Sequence, residues 1–355
     1  MDVPRRLWSV RAVVLALVLA LLVALGGFFW WRSRDGSAFA SAVQRAPAGS
    51  QRLSWTDWAA VRAHEHADLS SSSSTGELRR FLARAYDDDL SSTSALVTSA
   101  AVLQQRFGFS PASADWELFS QSDQGAVVMV RMPSADLGKV SDHLAALGYR
   151  RPAESGGVWE GGDDLVARIS AGLTPELGYV AIDAQDSLVL TSDSAAYLAV
   201  AVRAATGEGD RVSGVGGVVD DAGEPLSSAV YSGDYACGAL AMAHADSGDQ
   251  AAATRLVAAA GEVSPYRAFA MSDEPDGSVR VAFAFQDDAT ARANADSRAR
   301  LAQGPAPGQG GSFRDRFTVD DVSAHGSMVV LRLSPRRDAS VLSDLSTGPV
   351  LFATC

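Results

Sequence analysis

Histidines and carboxylates that stand close together in the chain are the first residues to test for chemistry. The fragment His64-Glu65-His66 has the residue types of a metal site. On a helix, positions i and i+2 point about 200° apart, so the two imidazoles cannot bind one ion. We therefore expect a solvated helix end here, where a histidine suits the negative end of the helix dipole.

Two acidic runs could supply the hard oxygen ligands that calcium prefers, Asp87-Asp-Asp89 and Asp246-Ser-Gly-Asp249. Neither has the spacing of a calcium-binding loop. We interpret the first run as a solvated helix end and the second as a helix N-cap. The sequence predicts no metal site and no cofactor, with a weak cation site as the alternative.

The three remaining histidines, His143, His244 and His325, are isolated in the sequence. No Gly-x-Ser-x-Gly elbow accompanies them. A catalytic triad can assemble from dispersed residues, so a hydrolase stays open as a minor alternative. In that case we expect His244 to lie in a cleft beside a carboxylate and a hydroxyl. The main expectation is a protein that is not an enzyme.

Two glycine-rich stretches resemble phosphate-binding loops only superficially. Gly304–Gly311 lacks the Gly-Lys-Ser/Thr ending, and its prolines have no amide hydrogen to donate. Ser213–Gly217 lacks the third glycine of a dinucleotide-binding motif. We expect neither stretch to bind a nucleotide.

The chain has two cysteines, Cys237 and Cys355, and the second is its last residue. In an oxidising compartment such a pair is a candidate disulfide. The segments Ala229–Cys237 and Pro349–Cys355 both resemble strands, so a bridge would hold the terminal strand against an inner one. The alternative is two unpaired, buried thiols.

Residues 12–31 form an apolar run without a charged side chain. At about 1.5 Å per residue this run spans the roughly 30 Å of a bilayer core. Aromatic residues crowd its C-terminal end, as at a membrane interface. The flanking arginines favour a cytoplasmic N-terminus. The alternative is a signal peptide cleaved at Ala38-Phe39-Ala40.

The expected organisation has four parts: a cytoplasmic stub at 1–11, a transmembrane helix at 12–31, a juxtamembrane segment at 32–52 and an extracytoplasmic domain at 53–355. The net charge is −12, although residues 1–34 carry five arginines and one aspartate. The domain is therefore strongly acidic. This excludes nucleic acid as a partner, because its binders need clustered positive charge.

Helices and hairpins alternate along the domain. Ser54 with Asp57 and Ser74 with Glu77 both have the spacing of a capping box at a helix start. Turn residues separate pairs of strand-like runs, and each pair is followed by a helix that ends before a glycine. The predicted hairpins are Trp116–Ser120 with Ala126–Met132, Tyr179–Asp183 with Leu188–Thr191, and Ala268–Ser272 with Val279–Phe285.

Three hairpin–helix units suggest internal duplication, with halves at 53–206 and 224–355 and a boundary in Gly207–Gly223. The expected fold class is α+β, with an antiparallel sheet and helices on one face. Four tryptophans are assigned to the core, and exposure of one would mark a binding surface instead. They are Trp55, Trp58, Trp116 and Trp159.

Three segments, together with the apolar run, resemble single-pass envelope proteins of GC-rich Gram-positive bacteria that carry no assigned function. They are Leu53-Ser-Trp-Thr-Asp-Trp58, Phe107-Gly-Phe-Ser-Pro111 and Asp344–Cys355. The resemblance implies location and general form, and it transfers no functional residue.

The sequence therefore predicts a non-catalytic, membrane-anchored extracytoplasmic module that binds a protein partner or an envelope ligand. The alternative is a carrier or sensor that encloses an apolar small molecule between its sheet and its helices. Such a cavity would need apolar residues on a sheet face that the helices leave uncovered.

Overall fold

The computed structural model describes residues 37–154 and 156–355. The predicted stub at 1–11 and the predicted membrane helix at 12–31 lie outside the described residues. Within the described ranges, no helix is long and apolar enough to cross a membrane.

The described chain forms strands and helices in alternation. The strands are β1 Arg52–Thr56, β2 Trp116–Ser122, β3 Gly125–Arg131, β4 Trp159–Glu160, β5 Tyr179–Asp183, β6 Leu188–Ser192, β7 Ser227–Ser232, β8 Ala268–Asp273, β9 Val279–Ala284, β10 Phe317–His325 and β11 Met328–Pro335. The helices are α1 Ala38–Val43, α2 Trp58–His64, α3 Thr75–Asp87, α4 Ala100–Val102, α5 Ser134–Leu147, α6 Gly162–Ile169, α7 Ala195–Thr206, α8 Gly216–Ala222, α9 Gly233–Ala239, α10 Ser247–Ala260, α11 Asp288–Leu301 and α12 Val341–Ser346.

One antiparallel sheet contains all these strands, in the order β10-β11-β9-β8-β7-β1-β2-β3-β6-β5-β4. Its centre is the antiparallel pair β1 and β7, in which Ser54 lies opposite Ala229. From this pair outward, one side runs β1-β2-β3-β6-β5 and the other runs β7-β8-β9-β11-β10. Apart from the two-residue strand β4, which lies beyond β5, the two sides therefore have the same strand order. The fold is α+β, as predicted.

Helices cover both faces of the sheet, and the prediction of helices on one face is wrong. Strand β3 shows why, because it is apolar on both sides: Val127 and Met129 point to one face, Val128 and Val130 to the other. A strand that buries both faces needs a helical layer on each. Helices α1, α7 and α8 pack on the first face; the second carries α2–α6 over one half and α9–α12 over the other.

On the second face the apolar core is divided in two, and buried polar side chains of the central strands lie near the division. The hydroxyl of Thr56 is 3.3 Å from that of Thr93, and Ser227 donates to Asp273 Oδ2 over 2.9 Å. Glu117 accepts from the indole Nε1 of Trp58 over 2.8 Å. Each of these buried polar groups thus has a hydrogen-bond partner.

The predicted hairpins are present as β2–β3, β5–β6 and β8–β9, each followed by a helix, and these predictions are confirmed. The capping box of Ser74 and Glu77 is also confirmed, at the start of α3. The predicted box of Ser54 and Asp57 is wrong. Ser54 lies inside β1, and Asp57 alone caps α2 by accepting from the amide of Ala60 over 2.8 Å.

A disulfide joins Cys237 and Cys355, whose Cα atoms are 5.7 Å apart. The prediction that both cysteines lie in strands is wrong, because neither cysteine is in a strand. Strand β7 ends at Ser232 and helix α9, which contains Cys237, begins at the next residue. The bridge therefore ties a helix of the second half to the chain end, which follows a 3-10 turn at Leu351–Ala353.

Candidate functional site

A cavity of about 630 Å³ opens at one end of the central strands, and we call it the central pocket. Its size lies within the range of small-molecule sites, roughly 300–1,000 Å³. Helix α1 forms one wall, and the first turn of α2 forms another. The loop before β7 and the β8–β9 turn complete it. Its lining includes Ala38, Phe39, Trp55, Ala60, Trp116 and Pro225.

Three packed aromatic rings form the floor of the central pocket. The ring centroids of Phe39 and Trp55 are 5.5 Å apart, and those of Trp55 and Trp116 are 5.4 Å apart. The indole Nε1 of Trp55 donates to the carbonyl oxygen of Pro225 over 3.2 Å. This bond and the adjacent strands fix the rings, so the floor is preformed and apolar.

Charged side chains of both signs surround this floor: Arg45, Asp57, Arg131 and Glu224. Arg45 donates to Asp186 Oδ2 over 2.8 Å, and this bond lowers the pKa of that carboxyl below its usual value. Burial raises the pKa of Asp57, while its bond from the Ala60 amide opposes that rise.

The pocket therefore presents an apolar base with fixed charges around its mouth. Among the described residues, its lining contains neither histidine nor cysteine. Such an arrangement can bind and orient a molecule that has an apolar part and polar groups.

A second cavity, of about 430 Å³, lies where α3 meets the second half of the domain; we call it the acidic cleft. Asp89 lies in it and accepts from the amides of Leu342 and Ser343, the latter over 3.1 Å to Oδ2. Burial raises the pKa of Asp89 to about 6, although both amide bonds lower it. The interpretation of Asp87-Asp-Asp89 as a solvated helix end is thus wrong for Asp89, which is buried by α12.

Two further carboxyls line the acidic cleft, one from the last residue of β8 and one from the turn that follows it. Burial raises the pKa of Asp273 well above its usual value, and the nearby charge of Asp89 adds to that effect. Burial also raises the pKa of Glu274, which Arg280 partly offsets by donating over 2.9 Å. Carboxylates from distant parts of the chain thus share one cavity.

The histidines fall into different surroundings. His64 lines the acidic cleft, close to Glu65 and Asp88. His325 Nε2 lies 3.0 Å from Asp221 Oδ1, an exposed pair. His244 lies on the short turn Met242–His244 and is exposed.

The predicted N-cap at Asp246 is confirmed, since it accepts from the amide of Asp249 over 2.9 Å.

All four tryptophans assigned to the core are buried, with 5% exposure or less. Trp55 and Trp116 nonetheless reach the pocket floor. Sequence analysis named Phe39 only as part of a possible cleavage site, and it did not identify Arg45 and Arg131, which belong to no recognisable motif. Only the fold brings α1 and β3 together, so no local pattern could have identified them.

No protein-family model matches this chain, and no curated protein matches it. Among solved structures, crystal forms III and I of TP0453 are similar, with TM-scores of 0.40 and 0.39 and 7% sequence identity. The matches cover 85% and 87% of this chain and 97% of the other. A likeness of this size supports no statement about function.

Proposed function

We propose that this protein is a non-catalytic, membrane-anchored extracytoplasmic module that binds an envelope ligand in the central pocket. The observation that carries the proposal is the pocket itself, a preformed aromatic floor under a rim with charges of both signs. An apolar base with a few fixed polar groups is the usual composition of a ligand site.

The position of α1 supports a site near the membrane. Helix α1 begins at Ala38, seven residues beyond the end of the apolar run at Trp31. Seven residues reach at most about 25 Å when fully extended. If residues 12–31 span the bilayer, the wall of the pocket therefore lies close to its outer surface.

The packing of Phe39 favours an uncleaved anchor over a signal peptide. Its side chain is 1% exposed and contacts Trp55 in the pocket floor. Cleavage after Ala40 would remove this ring and the start of α1. Losing a buried phenylalanine costs about 3–5 kcal/mol in folded domains, so we expect the intact chain to be the functional form.

The ligand that fits best is amphipathic, with an apolar part for the aromatic floor and polar groups for the rim. Arg45 and Arg131 can meet acceptors, and Asp57 and Glu224 can meet donors. A purely anionic ligand fits less well because the domain is acidic. The alternative of an apolar molecule enclosed between sheet and helices has less support, since packed cores fill both sheet faces.

We also propose that the domain arose by internal duplication of the halves 53–206 and 224–355. The support is the repeated strand order on the two sides of the β1–β7 pair. The central pocket lies at the end of this pair, so both halves contribute to its walls.

Native mass spectrometry of the full chain, purified from its own envelope in mild detergent, tests the binding proposal. We expect a small-molecule adduct on the wild type. Ala38→Trp should lose it, because the indole would fill the pocket beside Phe39. Ala293→Trp, at an exposed site on α11, is the matched control and should retain the adduct. Equal adducts on both variants, or none on the wild type, would contradict the proposal.

A further inference from the structure

The C-terminal ends of α2 and α3 meet at the edge of the acidic cleft. His64 is the last residue of α2, Glu65 is its C-cap, and Asp88 is the C-cap of α3. One nitrogen or oxygen ligand atom from each residue lies within 4.8 Å of the other two. The fold thus unites two sequence fragments that fail as metal sites when each is considered alone.

In Glu65, whose side chain is the buried one of this group, only one of the two carboxylate oxygens accepts a hydrogen bond. Its side chain is 5% exposed. Oε2 accepts from Arg84 Nε over 3.1 Å, whereas Oε1 is buried and accepts from no donor among the described residues; besides Arg84, the carboxyl of Asp88 lies within hydrogen-bonding range of the Glu65 carboxyl. A buried carboxylate oxygen without a partner is costly and needs a physical explanation.

The electrostatic surroundings favour a cation at this point. Glu65 and Asp88 bring two carboxylates together, and Arg84 is the cation paired with the first. Asp87 and Asp89 flank Asp88 and line the same cleft, in which Arg337 is the one positively charged lining residue among those the structure describes. The C-terminal end of the thirteen-residue helix α3 adds partial negative charge from its free carbonyl groups.

The donor set identifies the class of cation. Calcium takes six to eight oxygen ligands, whereas an imidazole nitrogen with carboxylate oxygens suits zinc and similar transition metals. In a tetrahedral zinc site the ligand atoms lie about 3.3 Å apart. His64 and Asp88 have exposed side chains and that of Glu65 is buried, so binding of one ion requires the first two side chains to rotate toward Glu65.

We propose that His64, Glu65 and Asp88 bind one divalent transition-metal ion, with zinc the ion that suits the donors best. Three protein ligands leave at least one coordination position for water or for a group of a partner. Arg84 holds Glu65 in place through Oε2 and leaves Oε1 for the ion. His66 is not a ligand, because it lies outside the group that the fold assembles.

Zinc binding by the metal-stripped full chain in detergent tests this proposal, with Zn²⁺ in competition with a chromophoric chelator. We expect one equivalent on the wild type, a zinc-dependent rise in Tm and a visible absorption band with Co²⁺. His64→Gln and Asp88→Asn should each weaken zinc binding at least about tenfold. Both residues are exposed, so both variants should fold.

The matched control is His66→Asn, which removes an adjacent imidazole. Asparagine tolerates the left-handed backbone at this position, where φ is 50°. This variant should bind zinc as the wild type does. Unchanged binding by His64→Gln or Asp88→Asn, no zinc binding by the wild type, or a preference for Ca²⁺ over Zn²⁺ would overturn the proposal. A failure to find a small-molecule ligand in the central pocket would leave the zinc proposal unaffected.

Discussion

Arg298 Nη1 donates to the carbonyl oxygen of Phe352 over 2.6 Å, deep inside the second half of the domain. The same guanidinium also donates to the carbonyl oxygens of Thr354 and Ser264, over 2.6 and 2.7 Å. Its side chain is fully buried, and burial lowers its pKa to about 10. A buried cation therefore organises the C-terminal segment next to the disulfide.

Replacing Arg298 should destabilise the domain strongly. Arg298→Met leaves three carbonyl oxygens without a donor and removes the stacking of the guanidinium on Tyr266 and Phe283, at 5.2 and 4.9 Å. We expect a loss of about 3 kcal/mol or more in the free energy of unfolding. Arg292→Met, an exposed site on the same helix, should change it by less than about 0.5 kcal/mol. Urea denaturation measures both; equal effects would show that the buried contacts contribute little.

The two glycines of helix α9, Gly233 and Gly238, should differ in how well they tolerate replacement by alanine. A Cβ added at Gly233 would lie 1.9 Å from the carbonyl oxygen of Tyr266, a backbone atom that cannot move aside. We expect Gly233→Ala to cost about 3 kcal/mol or to prevent folding. Gly238→Ala, in the same helix and in open space, should be neutral or stabilising by up to about 1 kcal/mol. Thermal unfolding of the pair is decisive, and a tolerated Gly233→Ala would contradict this packing.

The disulfide closes a loop with a sequence separation of 118 residues. In the chain-entropy model, a loop of this length contributes about 4–5 kcal/mol. The double variant Cys237→Ser with Cys355→Ser should lose much of this stability, and the reduced wild type should behave in the same way. Thiol titration of the denatured, non-reduced chain should find no free thiol. Two free thiols would show that the bridge does not form.

Glu117 predicts a dependence of stability on pH. Complete burial raises its pKa to about 7, although bonds from Trp58, Ser94 and Ala95 lower it. Between its ordinary pKa of 4.5 and this value, the folded state binds more protons than the unfolded state. The free energy of unfolding should therefore fall by about 3 kcal/mol as pH rises through this window. Asp273 acts in the same direction.

Glu117→Gln tests this pH dependence. The amide cannot ionise, so stability should change less between pH 5 and pH 7.5 than in the wild type. Its NH₂ group would face protein donors such as the Ala95 amide, which adds a cost of about 1–3 kcal/mol at every pH. Denaturation curves at a series of pH values measure both effects. An unchanged slope would show that Glu117 is ionised throughout the range.

Local sequence patterns predicted the parts of the fold that local chemistry decides. The turn residues predicted the β2–β3 and β8–β9 hairpins, and the spacing of Ser74 and Glu77 predicted the start of α3. Strand β1 was missed because Ser54 and Asp57 have the spacing of a capping box. Their different roles arise from pairing with β2 and β7, which are distant in the sequence.

The candidate sites depend on the same long-range pairing and so were only partly predictable. The sequence predicted that His64 and Asp88 each lie at a polar helix end, and they do lie at the C-terminal ends of α2 and α3. Their approach to one another depends on how the two helices pack on the sheet. The pocket floor unites Phe39 with Trp116, and no periodicity in the sequence relates two such distant rings.

In-cell photocrosslinking from the central pocket tests directly whether the protein binds a ligand there. A photoreactive amino acid at position 60, where Ala60 lines the cavity, should capture a small molecule from the envelope, detectable as an added mass. The same amino acid at position 293, on the exposed side of α11, should capture none. A low-mass adduct at position 60 alone is the predicted result. No adduct, equal adducts at both positions, or capture only of a protein at position 60 would contradict ligand binding in the central pocket.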